Sequence, residues 1–308
     1  MSVNRNKILV AVDFEEQSLT ALEQSYSLAR LFNAGILLLY VIEEGSGFSR
    51  LISPDEYHRK VLEKAREKFD EIEQLALLAS HHQELTVTYQ IKKGKPYQKI
   101  LETANDHDAL LIVMGKGGRE EKRKRGFLGS NALNVVRQAP CPVITLTAGH
   151  MVEEFENILM PIDFTGRTKI QVQQAIELGR YFGATINVLS VINTESKITR
   201  IMKQVQLTQV KNALQRHDVR CNTHVIQQAR KNLSDEICNF ALDHKTDLTI
   251  IMTQQKKQFS TVFIGSTAQE IIFCSSLPVM SINPGAHFHP EVFTSFVDPL
   301  GLMKSKKE

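Results

Sequence analysis

A chain of 308 residues, 42% apolar and 23% charged, is long enough for about two domains of ordinary size. Its formal charge of +3 is too small to argue for nucleic acid, and no apolar run reaches the length of a membrane span. No leader pattern precedes the first strand pattern, and Cys141, Cys221, Cys238 and Cys274 form no CxxC, so we expect a cytoplasmic protein with reduced thiols and no metal.

Lys7–Asp13 is a short apolar run that ends on an acid, which predicts a strand. A helix follows, capped by Ser18 or by a Thr20/Glu23 box, with Leu22, Tyr26, Ala29 and Phe32 on one face. Asn33–Gly35 ends it, and Ile36–Ile42 reads as a second buried strand. Pro54 opens a long charged helix to about Ala79, with Glu56 and Lys60 on its solvent face and Val61, Ala65, Phe69, Ile72 and Leu75 on the other. Leu85–Ile91 alternates as a less buried strand does, and Gly94-Lys-Pro96 begins a helix carrying Ile100, Leu101 and Ala104. Ala109–Met114 and Pro142–Thr147 are two further strands. Alternation of strand and helix predicts a parallel sheet covered on both faces.

Met114–Ser130 organises the rest. The segment leaves the end of a strand, carries Gly115, Gly117, Gly118, Gly126 and Gly129, and enters a helix at Gly129-Ser130. Glycines let a backbone approach a ligand closely, and the N–H groups of a helix start point at an anion. Six Lys and Arg against two Glu add positive charge. The plainer reading is a solvated basic turn of an α/β protein.

The chain then repeats itself. Ile158–Phe164 matches Ile8–Phe14, with Asp163 at the place of Asp13. Ala175–Ala184 matches Ser25–Ala34, Ile186–Ile192 matches Ile36–Ile42, and Phe263–Thr267 matches Phe127–Asn131. Leu277–Ile282 matches Cys141–Leu146. Matches in one order along the whole length mean two copies of one α/β unit, expected over 1–149 and 150–284, with a tail over 285–308. A helix over Glu195–Arg216 replaces a longer connection in the first copy.

The strand ending in Asp, the Met-Gly-x-x-Gly loop, the Gly-Ser helix start and the final Pro-Val strand resemble the universal stress protein family in tandem form, over about residues 5–148 and 156–284. The resemblance implies two Rossmann-like domains, each a five-stranded parallel sheet between helices, pairing through their last strands as a pseudo-dimer. It implies ATP, with Mg2+, as the ligand of the first copy. Ala11, Val12 and Asp13 would meet the adenine and its surroundings, and Val41 would add an apolar wall. Met114, Gly115, Gly118, Gly129, Ser130 and Asn131 would hold ribose and phosphates. The nucleotide-binding branch of the family carries Gly-x2-Gly-x9-Gly-Ser/Thr, and here ten residues separate Gly118 from Gly129. In the second copy Thr253 is expected at the first glycine's place and Lys256 at the second's, with eight residues between Lys256 and Gly265, which makes that copy degenerate for ATP.

Two functions follow from different features. One is a stress-response regulator that binds an adenine nucleotide and alters its contacts with protein partners. The other is a nucleotide-independent interaction module acting through dimerisation, which the ten-residue spacer and the damaged second copy favour. Between ligand contact and helix capping, Asp13 is read as a ligand contact and Asp163 as structural, and a carboxylate beside a helix start is stabilising either way. His81-His82 and His287-x-His289 lack a third ligand at recognisable spacing. The Lys122–Arg125 run has no interleaved aromatic, which speaks against nucleic acid. No nucleophile–base set can be assembled, so enzymatic activity is expected to be absent or limited to slow ATP hydrolysis.

Overall fold

The computed structural model describes residues 7–43, 54–79, 85–117, 129–147, 152, 154–164, 168–192, 196–227, 232–253 and 265–283. The first repeat runs β1 (Lys7–Ala11), α1 (Glu16–Leu31), β2 (Gly35–Ile42), α2 (Pro54–Ala79), β3 (Val87–Lys93), α3 (Pro96–Asp106), β4 (Leu111–Gly115), α4 (Ser130–Gln138) and β5 (Val143–Leu146). The second runs β6 (Asn157–Ile162), α5 (Thr168–Phe182), β7 (Thr185–Ile192), α6 (Lys197–Arg216), β8 (Cys221–Gln227), α7 (Leu233–Asp243), β9 (Leu248–Met252), α8 (Ser266–Cys274) and β10 (Val279–Ile282).

The strands form one ten-stranded sheet in the order β3-β2-β1-β4-β5-β10-β9-β6-β7-β8. Pairing is parallel within each repeat and antiparallel where β5 meets β10, with Val279 opposite Thr145 and Met280 opposite Ile144. The two last strands therefore join the repeats, as the resemblance implied. Side chains of a strand alternate between faces. Ile8, Val10, Leu111 and Val113 accordingly lie in one core with α1, α2, α5 and α6. Leu9, Ile112, Met114 and Val143 lie in the other with α3, α4, α7 and α8. Apolar residues on both faces of each strand explain why the runs read as continuous rather than alternating.

The twofold character reaches the backbone. Phe14 and Phe164, each following the acid, are both left-handed, at φ 63° and 58°. Asn33 and Gly183 repeat this at the ends of α1 and α5, and Asp108 and Lys245 before β4 and β9. At the seam, Phe32 stacks on Tyr181 at 5.4 Å between ring centroids, and Phe155 meets Phe182 edge-on at 4.9 Å. The Gln24 amide grips the connecting segment from both sides. It donates to the Val152 carbonyl and accepts the Val152 N–H at 2.7 Å.

Three local expectations change. The first helix begins at Glu16, ahead of both predicted caps, and Ser18 instead accepts the Asp13 N–H at 3.2 Å and donates to the Glu15 carbonyl at 2.9 Å. Thr20 lies inside the helix, its hydroxyl on the Glu16 carbonyl. The third strand runs two residues later than its alternation suggested, because Lys92 and Lys93 pair with Val41 and Ile42. Cys238 and Cys274 form a disulfide rather than two free thiols: α7 packs beside α8 and brings their Cα atoms to 6.4 Å across 36 residues of chain. Cys141 and Cys221 are buried free thiols. No helix among the described residues is long and apolar enough to cross a membrane.

Candidate functional site

After β1 the chain proceeds outward to β2 and β3, then returns to add β4 on the other side of β1. The carboxyl ends of β1 and β4 therefore flank the point where strand order reverses, the usual ligand crevice of an open parallel sheet. Ala11, Val12 and Asp13 sit at the end of β1, Met114 and Gly115 at the end of β4, and Val41 near the end of β2.

Alternation divides their roles. Ala11, Val41 and Met114 belong to the face of α3 and α4, with Ala11 and Val41 half-buried at its margin. They can offer an apolar wall to a flat base. Val12 points into the opposite core, with its N–H on the Leu39 carbonyl at 3.0 Å, so its side chain serves the fold. Asp13 is exposed, and one of its carboxylate oxygens accepts the Glu15 N–H at 3.0 Å. The same acid-then-left-handed-Phe turn stands in both repeats, so it belongs to the repeated frame.

The glycines are close-packed for stated reasons. A side chain at Gly115 would place Cβ 2.8 Å from Gln17 Cβ and 3.0 Å from the Gln17 carbonyl carbon, so bare backbone lets α1 start against β4. Gly117 is left-handed at φ 77°, and its N–H donates to Gln17 Oε1 at 3.1 Å. Gly129 caps α4, and its N–H donates to the Lys116 carbonyl at 3.1 Å, which folds the end of the loop back onto its beginning. Gly129 has no side chain with which to cap α4, so among the described residues the first-turn N–H groups of Ser130, Asn131 and Ala132 have no side-chain cap. Lys116 departs from the expected basic loop. It is buried, and its ammonium donates to the Ser275 carbonyl at the end of α8, in the other repeat. Gly118 and the cations from Arg119 to Arg125 lie outside the described residues, as do Lys256, His81, His82, His287, His289 and the tail.

The second repeat keeps the frame and alters one position. Gly265 caps α8 with almost the same backbone as Gly129. Strand pairing corrects the register of the lost glycine, however. Ile8 faces Leu111 and Ile158 faces Leu248, so Met252 occupies the place of Gly115 and Thr253 that of Lys116. Hydrogen bonds agree: the Lys116 N–H goes to Leu146 and the Thr253 N–H to Ile282. Thr253 therefore stands one residue beyond the place of the first glycine, the place the sequence pattern predicts for it. Met252 packs against the core of α1, α2, α5 and α6, the same face on which Gly115 meets Gln17.

A cavity of about 600 Å³ lies elsewhere, lined by Leu31, Phe155, Tyr181, Phe182, Gly183 and Arg220. The guanidinium of Arg220 donates to the Gly183 carbonyl, and the cavity contains none of the residues singled out from the sequence.

The universal stress protein family model matches this chain twice, at residues 4–146 and 154–283. Universal stress protein MJ0531 of Methanocaldococcus jannaschii is 27% identical over 147 residues, 46% of this chain and 81% of that protein. Universal stress protein Sll1388 of Synechocystis is 27% identical over 153 residues, 45% of this chain and 95% of that protein. The crystal structure of a universal stress protein from Archaeoglobus fulgidus superposes with a TM-score of 0.73 at 19% identity, covering 91% of this chain and 97% of that one, which speaks to the fold.

Proposed function

The chain belongs to the universal stress protein family, and from that premise we propose that it is a stress-response regulator that binds an adenine nucleotide, ATP with Mg2+, in its first repeat. One observation carries the choice of repeat. Gly117 is left-handed and lies against Gly129 at the start of α4, whereas the strand register puts Gln254 at that place in the second repeat. The base would lie on Ala11 and Val41, and the phosphates would take the N–H groups of Ser130 and Asn131, which suit an anion. Ribose and the remaining phosphate contacts fall to Asp13, Met114, Gly118 and Gly129.

The test is calorimetric titration with ATP, ADP and AMP, with and without Mg2+. Ser130→Glu is the informative variant, because an acid at a helix start stabilises the helix yet repels a phosphate. Wild type should bind, Ser130→Glu should lose at least tenfold in affinity, and Ser266→Glu should change nothing. No binding by wild type at millimolar nucleotide, or equal binding by Ser130→Glu, would reject the proposal.

The second reading, an interaction module that needs no nucleotide, draws on a different observation. Gln17 already holds the Gly117 N–H, and Lys116 is engaged with Ser275. Two groups that could have met a phosphate are committed to the protein itself.

A further inference from the structure

On α6 the residues Ile198, Ile201, Met202 and Val205 are 73%, 59%, 61% and 52% exposed. Their spacing of three, four and seven places all four within an arc of about 100°. The helix buries Leu207, Val210 and Leu214 on its other side. It is therefore apolar twice over, once toward the sheet and once toward solvent. Ser196 caps its start by accepting the Thr199 N–H, so the bare stripe lies on a formed helix.

The corresponding layer of the first repeat is built differently. There α2 turns Glu63, Lys64, Glu67, Lys68, Asp70 and Glu71 outward. One architecture thus presents a charged face in one half and an apolar face in the other, so the stripe is no requirement of the fold.

We infer that this stripe is the contact surface of a homodimer, in which α6 packs antiparallel on α6 of a second copy. The register is self-complementary. Antiparallel pairing about the stripe's centre sets Ile198 against Val205 of the partner subunit and Ile201 against Met202 of the partner subunit, and the reverse contacts follow by symmetry. The stripe's exposed neighbours Thr199, Gln204, Gln206, Thr208 and Gln209 are uncharged, and the exposed Lys197 at one end faces Gln206 of the partner subunit in this register rather than a second cation. An anionic lipid surface would want several cations beside the stripe, yet among the described residues there Lys197 alone is an exposed one, Arg200, Lys203 and Lys211 being half-buried. One stripe exposes on the order of 400–500 Å², the size of the largest apolar patch a monomer usually carries, which is often a functional one. Two facing stripes would remove about 800–1,000 Å², at or just under the lower bound for a specific interface, which sets a weak, reversible, concentration-dependent dimer. The inference is independent of nucleotide binding.

The test is sedimentation velocity with light scattering on the full chain between about 1 and 100 µM. Wild type should shift from monomer to dimer over this range. Ile201→Glu should weaken association at least thirtyfold, while Lys64→Glu on α2 should leave it unchanged. Met202→Cys, at the centre of the pairing, should form an intermolecular disulfide on mild oxidation that wild type does not form. A wild type that stays monomeric at 100 µM overturns the inference, and so does a dimer indifferent to Ile201→Glu. A monomer whose α6 binds vesicles of anionic phospholipid would overturn it in favour of a membrane surface.

Discussion

The Lys116 ammonium, in the first repeat, donates to the main-chain carbonyl of Ser275 in the second. Ser275 caps the end of α8, where unpaired carbonyls and the helix dipole favour a cation. The mirrored carbonyl, Ala139 at the end of α4, accepts from the Asn283 side chain at 2.9 Å. Each repeat thus satisfies the helix end of the other, with a cation on one side and an amide on the other. We predict that Lys116→Met costs about 1.5–3 kcal/mol, the range for a hydrogen bond to a charged group. Urea denaturation measures the loss. ATP affinity should stay within a factor of two, and a tenfold drop in affinity would mean that the ammonium serves the ligand instead.

Gly115→Ala is expected to destabilise by about 1–3 kcal/mol even without nucleotide, because the new methyl overpacks against Gln17. A glycine motif therefore cannot be tested by substituting its first glycine and reading affinity alone. Thermal denaturation of the apo protein separates the two effects.

Much of this architecture was legible because the signals are local. Apolar runs such as Ile36–Ile42 and Ala109–Met114 mark strands buried on both faces, and the repeated Asp-Phe and Gly-Ser turns mark equivalent points of two units. What escaped depends on adjacency across the fold. Lys116 looks like one more cation of a basic loop until β5 and β10 are paired, which brings α8 within its reach. Cys238 and Cys274 are 36 residues apart, and only the packing of α7 on α8 makes them neighbours. The place of Met252 was hidden by similar residues one step out of register, which strand pairing resolves. Gln17 was missed because its role is to meet a backbone N–H 100 positions away.

The Cys238–Cys274 disulfide closes a loop spanning 36 residues and should contribute about 2–4 kcal/mol. Burial pushes the remaining thiols up, Cys141 to about 12 and Cys221 to about 11, so both are protonated near neutral pH. Native protein should resist a thiol-reactive dye at pH 7. After denaturation without reductant two thiols should titrate, and four with it. Reductant should also lower the melting temperature of wild type but not of a Cys238→Ser/Cys274→Ser variant. Four reactive thiols in unreduced, denatured protein would show that the bond does not form.

His224 carries a pH prediction. Its ring packs 4.9 Å from Phe240 and 5.1 Å from His244, measured between centroids, with Asn187 Oδ1 at 3.4 Å. Burial, and next the charge of His244, hold it below the ordinary histidine range. Burial, with Lys7 and Lys92, lowers His107 as well. A depressed folded-state value means that the folded chain binds fewer protons than the unfolded one. This stabilisation is complete above the unfolded value and is lost as pH falls through the folded one. The melting temperature should therefore fall as pH drops from about 7.5 toward 5, and His224→Gln should flatten that slope. An unchanged slope would remove His224 from the account.

Gln24 and Gln174 hold matching places in α1 and α5, and both are buried. Gln24 makes two hydrogen bonds to Val152 in the connecting segment. The side-chain oxygen of Gln174, by contrast, has no hydrogen-bond partner among the described residues. A buried polar atom without a partner is a net cost, and removing a partner from one that is satisfied is a larger one. The same substitution should therefore have opposite consequences in the two repeats. Gln24→Met leaves the Val152 N–H and carbonyl unpaired and should destabilise by about 2–4 kcal/mol. Gln174→Met removes an unsatisfied oxygen at nearly constant volume and should be neutral or stabilising by up to about 1 kcal/mol. Parallel urea denaturation of the two variants decides the matter. Equal losses would mean that Gln174 has a donor in the folded chain, and that the two helices are alike in use as well as in sequence.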